Sequence, residues 1–392
     1  MKLETDPTTR LEPLIARLEA AAWRVARQRY GPVRQRELAQ QIMEISRRYN
    51  RPEGEPLVLS QGLPGRMARL LFFTMADLPK VAFPLAELER AGRLPRGDKP
   101  LRVLDLGAGH GALSLGFLLH RAARGETGPV ELHAMDQDAE ALETLELLLE
   151  ELRLDQLLSG EVTLHTRTTS LNRPPNLEAP FHLIMAGGLL NELRPRAEEG
   201  LVRATLAALA PGGVLLLLEP ALRHTSRRLH RLRDGLLSSG EAVALAPCTH
   251  LGPCPMLEGD RDWCHERRSW LPPPMLRQLA SVTGLRRRDL RFAYLTLAGP
   301  GIPPLPDREQ ASRVVSAQLG GKGRMELFLC GAVGRQRVVL LKRHLGDATR
   351  AFSQLERGHL AWVEGGSLLG NEFRLDQESR VRGEDPTADE EA

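Results

Sequence analysis

The sequence predicts an α/β protein built on a doubly wound, mostly parallel sheet, and three observations carry that expectation. Leu101-Arg-Val-Leu-Asp-Leu106 is an apolar run with the length and composition of a buried parallel strand. Gly107, Gly109 and Gly111 follow at once and lead into Ala-Leu-Ser-Leu-Gly-Phe-Leu-Leu, which reads as a helix. Strand, glycine turn and helix in that order form the entry to a nucleotide-binding fold. Strand-like and helix-like segments then alternate from residue 99 onward. Glycines let the backbone turn tightly and let a ligand lie against it. The following helix adds free N–H groups and a positive dipole end.

The chain of 392 residues has room for two domains or one elaborated one. Hydrophobic residues make up 42% but aromatics only 4%, so the core is built from Leu, Val and Ala. The net charge of +3 is mildly basic and says little by itself. No apolar run is long enough to span a membrane. The start, Met-Lys-Leu-Glu-Thr-Asp, lacks the apolar core of a signal peptide, and its acids argue against a transit peptide, so a cytosolic protein is expected. Four cysteines in that setting point away from disulfides and toward metal or catalysis.

Residues 1–98 read as a helical region. Asp6-Pro7 is a helix-starting pair, and Leu11, Leu14, Ile15, Leu18, Ala22 and Val25 then fall on one face. Leu38, Ile42 and Ile45 mark a second helix. Arg51 to Pro56 is a break, Met67 to Met75 a third helix and Pro84 to Leu94 a fourth. This region is expected to cap the sheet and shape a cleft. Strands are expected at 101–106, 130–135, 162–165, 181–186, 214–218, 292–297 and 325–333, with a helix over 225–237. The expected organisation is a core over 99–245, a Cys-rich loop over 246–285, strands completing the sheet over 286–345 and an extension over 346–392. The last residues, 384–392, are acidic and read as disordered.

Two ligands fit the glycine loop. Gly107-x-Gly109-x-x-Ala112 satisfies the relaxed dinucleotide fingerprint, which keeps NAD open. Asp105, two residues before the first glycine, and the third glycine at Gly111 favour S-adenosylmethionine (SAM), because Asp-Leu-Gly-x-Gly-x-Gly resembles the first motif of SAM methyltransferases. In that family the loop backbone packs on the amino-acid part of SAM and the acid helps to hold it. Asp136, at the end of the second strand, stands where ribose hydroxyls are bound in both ligand classes. The cofactor-binding candidates are therefore Asp105, Gly107, Gly109, Gly111 and Asp136.

Cys248, Cys254 and Cys264 sit within seventeen residues of Pro/Gly-rich loop with neither helical nor strand period, and Cys330 lies on a predicted strand. Such a loop gains little order from a core, so a metal centre is a reasonable staple. Four thiolates satisfy tetrahedral zinc or a [4Fe–4S] cluster, and the spacing does not choose between them. His250 or His265 replacing one cysteine, and Cys248 as a nucleophile, are further readings.

Together these residues resemble the methyltransferase-like assembly factors of the small ribosomal subunit, a family with mitochondrial and bacterial members. The resemblance spans roughly 100–345. It rests on Asp105-Leu-Gly-Ala-Gly-His-Gly111, Leu189-Leu-Asn-Glu-Leu193, Leu218-Glu-Pro220, Ala246-Pro-Cys-Thr-His250, Cys254-Pro255, Trp263-Cys264-His265, Phe292-Ala-Tyr-Leu295, Lys322-Gly323, Cys330 and Leu341-Lys-Arg343. It implies a Rossmann-like seven-stranded SAM-methyltransferase fold whose last two strands form an antiparallel edge. The N-terminal region is helical, and a Cys-rich metal loop is inserted. It also implies SAM at the glycine loop and a [4Fe–4S] cluster on Cys248, Cys254, Cys264 and Cys330. The implied partner is the small ribosomal subunit or its rRNA, with neither DNA nor membrane.

Catalysis stays open. Base-nitrogen methyltransferases carry an Asn/Asp-Pro-Pro-aromatic motif after strand four, and here Ala186-Gly-Gly-Leu-Leu-Asn191-Glu192 has neither proline nor aromatic ring. Asn191 and Glu192 are the weak catalytic candidates, with helix capping or solvent exposure as the plainer role for both. A radical-SAM mechanism is not expected, because its Cys-x-x-x-Cys-x-x-Cys loop is missing. For RNA, Arg227, Arg228 and Arg231 cluster on one predicted helix, and Arg287 centres a second basic run, with Lys342-Arg343-His344 as a third.

Overall fold

The computed structural model describes residues 7–388 except 33, 51–61, 95–98, 179, 191, 194, 286–287, 307 and 309. The N-terminal region contains α1 (Pro7–Tyr30), α2 (Gln35–Tyr49), α3 (Leu63–Ala68), α4 (Met75–Asp77) and α5 (Ala82–Arg90). A π-helical turn, Arg69–Thr74, joins α3 to α4. On α1 the predicted stripe is the buried one: Leu11, Ile15, Leu18, Ala22 and Val25 all enter the main core, with Leu14 packed against it.

The first sheet is built from β1 (Leu101–Leu106), β2 (Val130–Asp136), β3 (Val162–Thr168), β4 (Phe181–Gly187), β5 (Leu209–Pro220), β6 (Val243–Ala246), β7 (Glu266–Ser269) and β8 (Asp289–Ala298). Between them lie α6 (Ala112–Ala123), α7 (Ala139–Leu154), α8 (Pro195–Ala207), α9 (Arg223–Ser238) and α10 (Pro274–Thr283). The strand order is β3-β2-β1-β4-β5-β8-β6, with β7 also on β8. The first five strands are mutually parallel, as the continuous apolar runs require. β8 runs antiparallel to β5, β6 and β7.

This arrangement corrects two expectations. The sixth strand of the sheet is Val243–Ala246, and residues 292–297 lie in the antiparallel strand inserted between it and β5. Residues 325–331 do not complete this sheet at all. They lie in β11 of a second sheet, made of β9 (Ser312–Val314), β10 (Leu319–Gly321), β11 (Arg324–Gly331), β12 (Gly334–Leu341), β13 (Leu360–Glu364), β14 (Ser367–Leu369), β15 (Glu372–Leu375) and β16 (Arg380–Glu384). Its own core contains Leu327, Leu329, Val338, Leu340 and Phe352. A short strand at a sheet edge and one in the next sheet look alike in sequence. Only partner choice separates them.

A third correction concerns the acidic end. Glu384 closes β16, and Asp385 is held by Arg268 at 2.9 Å, while Arg90 donates to the Asp385 carbonyl at 3.1 Å. Burial pushes the Asp385 carboxyl up, but the Arg268 and His359 charges and the Thr387 hydrogen bonds together outweigh it and hold it at about 2. Composition signalled repulsion among acids, whereas the fold supplies cations. Residues 389–392 lie outside the described residues.

The two sheets are joined through a buried charge. Glu87 of α5 is fully buried and accepts from Arg308, Arg313 and the Tyr294 hydroxyl. Arg313, on β9, also donates to the carbonyls of Pro247 at 2.8 Å and Gly358 at 2.7 Å. One carboxylate thus ties the N-terminal helices, β8, the Cys-rich segment and the second sheet together.

Candidate functional site

The glycine loop forms one wall of a cavity of about 420 Å³ at the carboxyl ends of β1, β2 and β4. Small-molecule sites fall in this size range, and a doubly wound sheet places them at the point where strand order reverses. Gly107, Gly109 and Gly111 all have positive φ, at 70°, 50° and 84°. The Gly109 N–H donates to Asp136 Oδ2 at 2.8 Å, and the Asp138 N–H donates to Oδ1 at 2.8 Å. Burial raises the Asp136 carboxyl, and these backbone donors pull it back. Gly107, Gly109 and Asp136 line the cavity.

Asp105 and Gly111 are close by but do not line it. Asp105 is buried and accepts from the Ser114 N–H at 3.0 Å and its hydroxyl at 2.6 Å, so it fixes the first turns of α6. Burial outweighs those bonds and pushes its carboxyl up to about 6. Gly111 serves packing: a Cβ there would lie 2.3 Å from Leu145 Cδ1. Gly111→Ala is expected to cost about 2–4 kcal/mol, from left-handed strain plus overpacking, read as a lower melting temperature.

The opposite wall comes from the helical region: Tyr49 of α2, Arg69, Phe73 and Thr74 of the π-helical turn, and Asp77 of α4. Widened turns of this kind occur often at functional sites. Sequence reasoning expected a cap here but named none of these residues. It also passed over His110, which sits inside the glycine motif as a variable position. His110 is buried, lines the cavity, and its Nε2 has no hydrogen-bond partner. Burial and then the Arg69 charge push it down to about 3, so the imidazole is neutral. Its orphaned nitrogen is a polar group that a ligand would satisfy. Glu192 lines the cavity and is exposed; Asn191 lies outside the described residues.

The four cysteines converge. The Cys-rich segment leaves β6 and returns at β7, and both strands pair along β8, so its two ends are clamped on one strand. Cys248, Cys254 and Cys264 from this segment and Cys330 from β11 line a single pocket and form no disulfide. Burial, reinforced by Cys248, pushes Cys254 and Cys330 up to about 12, and burial and then Cys330 raise Cys264 as well. Such thiols ionise readily only around a cation. His230, His265 and Arg233 also line this pocket, and His230 Nδ1 is buried without a hydrogen-bond partner.

Arg227 and Arg233 of α9 supply hydrogen bonds to this loop. Arg227 donates to the carbonyls of Met256, Gly259 and Asp262 at 2.7, 2.6 and 3.0 Å. Arg233 donates to those of His250 and Gly252 at 2.6 and 2.8 Å. Arg228 pairs with Glu198 and donates to the Leu193 carbonyl. Arg227 and Arg228, named for RNA, are thus also held by contacts within the chain, Arg227 by loop carbonyls and Arg228 by Glu198 and Leu193, and both remain half-exposed. Arg231 is exposed, and Arg287 lies outside the described residues.

A parallel five-stranded core with an antiparallel strand between the fifth and sixth, a glycine-loop cavity and a helical cap define a protein of the methyltransferase fold. A family model described as mitochondrial small ribosomal subunit Rsm22 matches residues 99–361, more than half of the chain, and the chain belongs to that family. Solved structures similar to it include a TehB-like SAM-dependent methyltransferase from Corynebacterium glutamicum, at 14% identity over 55% of this chain and 87% of that one, with a TM-score of 0.30. Magnesium protoporphyrin IX methyltransferase from Synechocystis, with bound SAH, is similar at 10% identity over 65% and 92%, with a TM-score of 0.33. No curated protein matches. No helix among the described residues is long and apolar enough to cross a membrane.

Proposed function

We propose that this chain is a SAM-binding, [4Fe–4S]-bearing factor that works on the small ribosomal subunit through its rRNA. The convergence of three loop cysteines and one cysteine from a separate sheet on a single buried pocket carries this reading. A single tetrahedral zinc with bonds of about 2.3 Å needs its sulfurs about 3.8 Å apart. Among the described residues no three of these sulfurs fall within 4.8 Å of one another; the family resemblance, rather than this spacing, is what points to the larger cluster. Cys248, Cys254, Cys264 and Cys330 would hold it, with Arg233 supplying positive charge beside Cys248. The cluster staples the second sheet to the first. Exposed Arg231, Lys322, Lys342 and Arg343 would meet phosphates.

In the glycine-loop cavity, Asp136 would accept from the ribose hydroxyls, Gly107 and Gly109 would let the ligand lie against the backbone, and His110 would meet it with a neutral ring nitrogen. When bound, SAM supplies an electrophilic methyl group. Asp136→Ala is expected to weaken SAM binding about 10–100-fold, the loss of one charge-assisted interaction of about 1.5–3 kcal/mol, measured by titration calorimetry. Unchanged affinity would remove SAM from this cavity, and NAD titrated in parallel tests the competing ligand.

A specific observation favours a non-catalytic form of the same reading. After β4 the chain turns through Gly187 and Gly188, and neither prolines nor a stacking ring follow at the cavity. Labelled methyl transfer to isolated small subunits separates the two forms: incorporation lost in Asp136→Ala supports an enzyme, and its absence with SAM bound supports a ligand-gated scaffold.

A further inference from the structure

Away from both pockets, the lower part of the β2–β3 edge carries a second donor set. The two strands run parallel with His133 opposite His165 and Glu131 opposite Thr163. Side chains alternate along a strand, so Glu131 and His133 share one face, while Leu132 and Ala134 on the other are buried in the main core. One ligand atom from each of Glu131, His133 and His165 lies within 4.8 Å of the other two. Glu131 Oε1 is 2.7 Å from His133 Nε2, and the two imidazole rings stack at 4.7 Å with 28° between their planes. The Phe181 ring packs edge-on against His133 at 5.2 Å and walls the inner side. The outer side is open, because among the described residues no helix follows β3, and His165 is exposed.

An ion pair accounts for two of these residues but not for the third. A histidine stacked on the partner of a carboxylate adds a second cation when protonated and a second unpaired nitrogen when neutral. Arg102 already approaches the same Glu131 oxygen at 3.4 Å, so the carboxylate does not need His165 for charge balance. Two imidazoles and one carboxylate with an open outer face are the donors that borderline divalent cations choose, and three protein ligands plus water complete a tetrahedron.

We propose that Glu131, His133 and His165 form a zinc site with its fourth position open to water, clamping edge strand β3 onto β2. Bonds of about 2.0–2.2 Å place the donor atoms about 3.4 Å apart. The exposed His165 ring supplies the closing movement by side-chain rotation.

The test is zinc stoichiometry of the full-length protein as purified, with the thiol pocket left in whatever state it holds, titrated with zinc against a chromophoric chelator. The expected result is one zinc more per chain in the wild type than in His165→Ala, with that extra ion showing nitrogen and oxygen but no sulfur neighbours by zinc-edge X-ray absorption. Zinc should raise the melting temperature of the wild type more than that of His165→Ala. Because the readout is a difference between two proteins with the same cysteines, occupancy of the thiol pocket cancels. Should His133→Ala misfold, the exposed His165→Ala still decides. Equal zinc in the wild type and His165→Ala, or sulfur ligands on the extra ion, overturns the proposal.

Discussion

Cys330→Ser is expected to strip the thiol pocket of the cluster proposed for it and to loosen the second sheet from the first. Three of the four thiols lie between β6 and β7 of the first sheet, and Cys330 alone comes from the second. Structural metal centres contribute on the order of 10 kcal/mol, comparable with the whole stability of a domain. Iron and acid-labile sulfide, measured without air, should fall from about four each per chain toward zero. Protease cleavage between β8 and β9 should appear in the variant and not in the parent. Iron and sulfide unchanged by the substitution would sink the assignment of Cys330, and stoichiometric zinc without sulfide in the parent would replace the cluster with a single ion.

The second large effect is expected at Glu87. Burial alone would push its carboxyl up, but the Arg313 and Arg308 guanidiniums and the Tyr294 hydroxyl outweigh it and hold it at about 2, against an ordinary 4.5. Glu87→Gln leaves two buried cations without their counter-charge, which costs about 3–5 kcal/mol. The pH dependence has a definite sign. A carboxyl depressed in the folded state binds fewer protons there than when unfolded. Its stabilisation of about 3 kcal/mol is therefore complete above pH 4.5 and is lost as pH falls toward 2. Denaturant melts of the parent and Glu87→Gln should differ most at neutral pH and converge below pH 4.5. A constant difference across that range would show that the charge is not what stabilises. Because Arg313 also donates to the Pro247 carbonyl, next to Cys248, the same variant should lose some metal from the thiol pocket.

Much of this is legible in the amino-acid sequence. The glycine turn after an apolar run, the acid closing β2 and the stripe on α1 are local signals. Each rests on neighbours within a few residues, where strand and helix periods and glycine conformations operate. The cysteines were legible as a set because four thiols in an aperiodic loop and a strand have few other uses. The family resemblance named the same four positions. What stayed illegible was long-range pairing. Arg227 and Arg228 show the same basic pattern whether they face phosphates or loop carbonyls. Asp105 shows the same motif whether it touches a ligand or caps a helix. His110 and Arg69 carried no local signal at all.

By itself the sequence determined the alternation of strands and helices, the glycine-loop entrance and the chemical identity of the four thiols. Those properties follow from residue type and short spacing. The tertiary structure alone decided that residues 325–331 belong to a second sheet, that Cys330 reaches the other three cysteines from there, and that a single buried Glu87 holds both sheets to the helical cap. Such choices depend on which distant group satisfies a buried charge or an unpaired strand edge, and no short window of sequence contains both partners.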